Sequence, residues 1–157
     1  MIKINLVAVG KVKEKYFQEG IAEYAKRIKR FADFSITEIS EENYKEPTEG
    51  IIETIKEKEG EKILPYLKGY VIAMAIEGEK TDSGKFAKKI RDLENTGVSK
   101  ITFIIGGSYG LSDTVKKSAD MLMSFSDMTF PHTLFRLMAT EQIYRAFTIL
   151  NGTKYHK

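Results

Sequence analysis

The chain has 157 residues, 42% hydrophobic and 30% charged, and contains no cysteine. Those proportions belong to a globular domain with one sizeable core and exclude a disordered chain. The missing thiols exclude disulfides, thiolate zinc sites, iron–sulfur clusters and cysteine nucleophiles, and they accord with a cytoplasmic location. No apolar run reaches the roughly 18 residues that a membrane span needs. The apolar start, residues 1–10, lacks the basic n-region and small-residue cleavage site of a secretory signal. The net charge of +3 is unevenly spread: residues 1–30 carry eight Lys or Arg against three Glu, residues 31–127 are acidic on balance, and residues 128–157 are basic again. Two basic ends around an acidic middle predict a local basic face if the ends meet. The alternative is that these cations only solvate two helices.

Ile2, Ile4 and Leu6 alternate before the apolar run Val7–Val9, which predicts a buried parallel strand over residues 1–9, ended by Gly10. Phe17, Ile21, Tyr24, Ile28 and Phe31 place one apolar stripe on a helix over about 14–31. Lys26, Arg27, Lys29 and Arg30 crowd its last turns, at the negative end of the helix dipole. A second strand follows at Phe34–Ile39. Glu46-Pro47-Thr48 starts a helix that Pro65 ends; its apolar positions (Ile52, Ile55, Ile63) are weakly periodic, which predicts loose packing. Tyr70–Ile76 is a third strand. Thr81-Asp82-Ser83 offers an N-cap to a helix with Phe86, Ile90 and Leu93 on one side. Ile101–Ile105 is a fourth strand, followed by Gly106-Gly107-Ser108-Tyr109-Gly110. Asp113 to Ala119 gives one or two helical turns and Met121–Phe125 a fifth strand. Pro131 opens a long final helix that Gly152 stops.

This alternation predicts an α/β fold, with a mostly parallel sheet flanked by helices, in a single domain spanning residues 1–157. Ligands of such sheets bind outside the carboxyl ends of the strands, which singles out the segments after residues 9, 76, 105 and 125. The final helix is apolar around most of its circumference between Leu134 and Leu150. It is therefore buried on more than one side, either as a central core helix or partly against a second subunit.

Gly106-Gly107-Ser108-Tyr109-Gly110 fits G-x-S-x-G, the nucleophile elbow of α/β-hydrolases, and Asp120 or Asp127 followed by His132 keeps the triad order. A tight glycine turn and a small-molecule loop are the competing readings. The segment lacks the Gly-Lys-Ser/Thr of a P-loop. The stretch from Phe125 to His132 offers backbone amides and small hydroxyls to a ligand, with Met128 and Phe130 available to an aromatic ring; an ordinary strand-to-helix loop is its plainer reading. Glu141 and Arg145 form an i,i+4 pair on the apolar final helix, where a charge needs its partner or a ligand. Two histidines and no spaced carboxylate cluster leave no metal site.

Taken together, Val7-Ala8-Val9-Gly10-Lys11, Gly106–Leu111, Ser124-Phe125-Ser126, Met128–His132, Glu141-Gln142-Ile143-Tyr144-Arg145-Ala146 and Tyr155-His156-Lys157 resemble, in order and spacing, the bacterial ribosomal RNA large subunit methyltransferase H family of the SPOUT superfamily. The resemblance covers essentially the whole chain, most specifically its last third. It implies a C-terminal trefoil knot, rare among folds, and a homodimer packed through the knotted region. It implies S-adenosylmethionine as methyl donor and, as acceptor, N3 of a pseudouridine in the large-subunit (23S) ribosomal RNA of the assembled ribosome. The cofactor pocket carried over comprises Met74, Gly106, Phe125, Ser126, Asp127, Met128, Thr129 and Phe130. One departure is Ala75, where the family commonly carries an acid.

Methyl transfer from a sulfonium is an in-line displacement in which a protein supplies positioning and electrostatics. On this resemblance Arg145 stabilises the imide anion, Glu141 orients Arg145, His156 accepts or relays the N3 proton, and Tyr155 stacks on the base. Lys11, Lys13, Lys15 and Arg136, with the Lys26–Arg30 cluster, are expected to contact RNA phosphates. A serine hydrolase using Ser108 and a noncatalytic ribosome-binding protein are the alternatives.

Overall fold

A computed structural model describes residues 1–157. The strands are β1 (Lys3–Val9), β2 (Asp33–Ile39), β3 (Tyr70–Lys80), β4 (Lys100–Ile105) and β5 (Met121–Ser124); the helices are α1 (Lys15–Ile28), α2 (Glu49–Ile63), α3 (Ser83–Asn95), α4 (Asp113–Ser118) and α5 (His132–Leu150). The sheet order is β2-β1-β4-β3-β5, and every pairing is parallel. No helix is long and apolar enough to cross a membrane.

The strand pleat divides the core in two. Ile4, Leu6 and Ala8 of β1 and Phe103 and Ile105 of β4 pack with Ile28 of α1, Phe86 and Ile90 of α3, and Ala139, Ile143 and Phe147 of α5. Val7, Val9, Val71, Ala73 and Ile104 face the other way, onto Ile63 of α2 and Val115 of α4. Sequence spacing explains both layers, since period-2 strands offer each face every second residue. The chain caps its own helices as residue type predicts: Thr48, Asp82 and Ser112 each accept a backbone N–H in the first turn of α2, α3 and α4.

One strand differs from expectation. Strand β3 runs to Lys80, four residues past the expected end. It leaves β5 after Met74, which pairs with Met123, and returns at Glu79, which pairs with Met123 again. Residues 75–78 are the detour between. It closes tightly: a Cβ on Gly78 would lie 2.6 Å from the backbone of Leu122 and Met123. Helix α2 is the least engaged of the long helices, as its weak periodicity predicts: it meets α4 and β2 only lightly, whereas α1 and α3 pack along α5. Its buried row is Ile55, Glu59 and Ile63, with Gly60 beside it; a carboxylate occupies the middle of that row.

Arg136 also departs from its expected RNA contact. Its side chain is 3% exposed and reaches across 126 residues to donate to the Gly10 carbonyl at 2.9 Å, while Nη1 pairs with Glu38 at 2.5 Å. The guanidinium thus fastens the N-terminal turn of α5 to the carboxyl ends of β1 and β2, and offers RNA nothing. Arg136→Met keeps the stem but strands the Gly10 carbonyl. Denaturant unfolding is expected to show a loss of about 2–3 kcal/mol, against ~0.5 kcal/mol or less for Lys11→Ala at the exposed surface.

Candidate active site

The carboxyl ends of β3, β4 and β5 open onto a cleft of about 360 Å³. One wall is apolar, built from Met74, Ile105, Met123, Phe130 and Phe135. Another is the β4–α4 loop. There Gly110 donates to the Gly107 carbonyl at 3.1 Å, so Ser108 and Tyr109 sit at the tip of a turn. Two glycines are structurally required: Gly110 has φ +85, and a Cβ on Gly106 would lie 2.7 Å from the Gly110 carbonyl carbon. The third wall is the β5–α5 loop. Ser124 Oγ donates to the Ser126 carbonyl and Ser126 Oγ accepts from the Met128 amide, both at 3.0 Å, which folds the loop back on itself. Phe125 is clamped by Phe86 and Phe135, with ring centroids 5.5 and 5.3 Å away.

Of the expected pocket residues, Met74, Gly106, Phe125, Ser126, Met128, Thr129 and Phe130 line this cleft. Asp127 does not: it points to solvent and pairs with Lys80 at 2.5 Å. The serine-elbow constellation is not assembled. Ser108 is exposed at its turn. Asp120 accepts the Val71 amide at 2.8 Å, and the His132 ring lies against Gly10 and Glu41. No carboxylate–histidine–serine relay joins them.

A second cluster gathers at the far end of α5. Arg145 donates twice to Glu141 Oε1, at 2.9 and 2.6 Å, and its Nη1 lies 3.1 Å from His156 Nδ1. Arginine has no lone pair, so Nδ1 is the acceptor and the ring proton sits on Nε2. Tyr155 donates to the same Glu141 oxygen at 2.9 Å and lies under the Arg145 guanidinium, 4.7 Å from its ring. Burial, with hydrogen bonds to Tyr24 and Glu141, pushes the Tyr155 phenol up, so it remains a donor; the Glu141 hydrogen bond raises Arg145 further. Glu141, Arg145, Tyr155 and His156 are thus brought together as the sequence leads one to expect. Tyr24 and Tyr144 extend the array, with Arg27 5.4 and 5.5 Å from their rings. Lys11, Lys13 and Lys15 are exposed just after β1.

The family model described as "Predicted SPOUT methyltransferase" matches residues 2–156. The chain belongs to the SPOUT methyltransferase family. It is 52% identical to a ribosomal RNA large subunit methyltransferase H from Latilactobacillus sakei and 51% to one from Limosilactobacillus fermentum, each covering 99% of this chain and 100% of the relative. In fold it is similar to a probable methylase family protein from Haemophilus influenzae (TM-score 0.57, 13% identity, 100% of this chain and 72% of that one). It is also similar to a putative methyltransferase from Legionella pneumophila solved with bound cofactor SAM (TM-score 0.51, 11% identity, 92% and 66%).

Sequence reasoning missed Glu59. It is 4% exposed, and its Oε2 accepts the Glu42 amide at 3.0 Å while Oε1 has no partner. It lies directly behind the glycine loop, since a Cβ on Gly107 would sit 3.2 Å from Oε1. Burial pushes its carboxyl up, against the pull of the Glu42 hydrogen bond. The folded state therefore holds this proton more tightly than the unfolded chain. The corresponding stability is full below the ordinary carboxylate pKa and is lost as pH rises through the raised value. Glu59→Gln removes that slope. Urea unfolding is expected to show the variant gaining on the wild type between pH 4 and pH 8; an equal difference at both ends contradicts the assignment.

Proposed function

We infer that this protein transfers a methyl group from S-adenosylmethionine to N3 of a pseudouridine in the large-subunit ribosomal RNA of the assembled ribosome. It works as a homodimer of one-domain chains in the cytoplasm. The observation that carries this reading is the 52% identity over 99% of the chain to a protein named ribosomal RNA large subunit methyltransferase H. The cleft supports the cofactor on its own evidence. Its apolar walls suit the faces of a purine, and its two loops turn backbone groups toward a ligand at the carboxyl ends of parallel strands. The family resemblance adds a knotted C-terminal segment to this picture.

The bound cofactor supplies an electrophilic methyl on a sulfonium; the remaining work falls to the chain. Arg145, steered by Glu141, is the cation for the charge that develops on the uracil ring when N3 loses its proton. His156 Nδ1 takes that proton once the incoming base replaces Arg145 at that nitrogen. Tyr155, kept protonated and aromatic, holds Glu141 and offers a face to the base. Exposed Lys11, Lys13 and Lys15 meet RNA phosphates.

The separation within α5 supports the dimer. Phe135 is the last α5 residue to line the cleft and Arg145 lies ten residues later, about 15 Å along a helix axis. Reacting atoms must approach to roughly 3–3.5 Å. A second copy, packed on the half-buried Leu137 and Met138 face of α5, brings its own Arg145 cluster toward the cleft.

Radiolabelled S-adenosylmethionine, given with ribosomes from a strain lacking the homologous enzyme, is expected to label one pseudouridine of the large-subunit RNA. Cofactor binding without label leaves the noncatalytic reading. Arg145→Ala and His156→Ala are each expected to cut the single-turnover rate about a hundredfold or more, with cofactor affinity held. Charge reversal at Lys11 and Lys13 is expected to weaken ribosome binding and to flatten its salt dependence by about one unit of slope per lost phosphate contact.

A further inference from the structure

The cleft holds only two side chains of fixed charge, Glu77 and Lys116, and they pair with each other at 2.6 Å. Glu77 stands on the β3 detour and Lys116 on α4. The Lys116 side chain is 24% exposed, low for a lysine, while Glu77 is 56% exposed. An ordinary surface pair contributes little stability and needs no such placement. This pair joins the β3 detour to α4 among the residues that line the apolar cleft.

We propose that Lys116 and Glu77 form the subsite for the amino-acid end of the methyl donor. The inference rests on the proposed S-adenosylmethionine reading and adds the residues that select its tail. That molecule ends in an α-carboxylate and an α-ammonium on one carbon, opposite charges a few ångströms apart. A lysine–glutamate pair is the matching arrangement: the ammonium of Lys116 takes the carboxylate, and the carboxylate of Glu77 takes the ammonium. Opening the pair leaves neither charge alone, because each exchanges one charged partner for another. Ligands without the tail leave the pair closed and gain nothing from it. The hydrogen bond from Lys116 already holds the Glu77 carboxyl below its ordinary range, so Glu77 presents a full negative charge at neutral pH. Lys116 and Glu77 would hold the tail of this donor and take no part in the methyl transfer itself.

Calorimetric titration tests this with two probes. S-adenosylhomocysteine carries the zwitterionic tail and 5′-methylthioadenosine lacks it. In the wild type the first is expected to bind more tightly than the second. Lys116→Met is expected to weaken S-adenosylhomocysteine about tenfold or more and to leave 5′-methylthioadenosine within about twofold, closing the gap. Glu77→Gln, at a half-exposed position, repeats the test should Lys116→Met fail to fold, with a loss in the same direction. Equal weakening of both probes, or no weakening of either, overturns the subsite and leaves the pair as a strap between β3 and α4. Failure of both probes to bind the wild type overturns the cofactor reading itself, and the subsite with it.

Discussion

Strand β3 lets go of β5 at Met74 and takes hold of the same partner again at Glu79. Nearly everything at the cleft depends on that detour. A straight strand would spend the backbone groups of residues 75–78 on the ladder with β5. Released from it, this segment becomes a wall, and Ala75, Ile76 and Glu77 face the opening. The detour must close again over very little room, which is why residue 78 is glycine: any side chain would strike the backbone of Leu122 and Met123. The return pairing at Glu79 and Lys80, with the Thr81 amide on the Ser124 carbonyl, then fixes where α3 begins.

The same constraint explains which parts of the fold were readable. Strands β1 and β4 are apolar runs between turn signals, and their burial on both faces is written in composition. The helix starts read at Thr48 and Asp82 are local rules, and they hold because a cap needs only its own next three residues. The far half of β3 is Glu77-Gly78-Glu79-Lys80, which carries no alternation. Its pairing is set by a partner more than forty residues away. Helix α2 reads as weakly periodic for a related reason. Its buried row includes Glu59, and a hydropathy pattern has no means of counting a carboxylate as an inward residue. What makes Glu59 tolerable there is the Glu42 amide and the glycine loop, both distant in sequence.

Site residues divide along the same line. Glu141, Arg145, Tyr155 and His156 lie within sixteen residues, and helix geometry with a short return brings them together. Their contact was legible because it is nearly local. Arg136 was read as a free cation because it lies in a basic segment, whereas its partners are Gly10 and Glu38. Asp127 was read into the pocket because its neighbours belong there, whereas Lys80 draws it outward. A short loop exposes some side chains and buries others, and membership of a motif does not say which.

Helix α5 joins these observations. Its first turns are locked by Arg136 to the ends of β1 and β2, and its last turns carry the Glu141–Arg145 pair and are tied to α3 by Arg91, which donates to the Leu150 carbonyl at 2.8 Å. Between them it packs on α1 and α3, closely enough that a Cβ on Gly20 would lie 2.9 Å from Leu137 Cδ1. A helix held at both ends and along its length is a rigid spacer. It cannot shorten to bring its own arginine to its own cleft. In the proposed methyl transfer, that rigidity is the reason for invoking a second chain: the spacer keeps the cleft and the Arg145 cluster of one chain apart. The apolar, half-buried stretch at Leu137 and Met138 lies between the two half-sites, where a symmetric contact would align each cleft with the other chain's cluster.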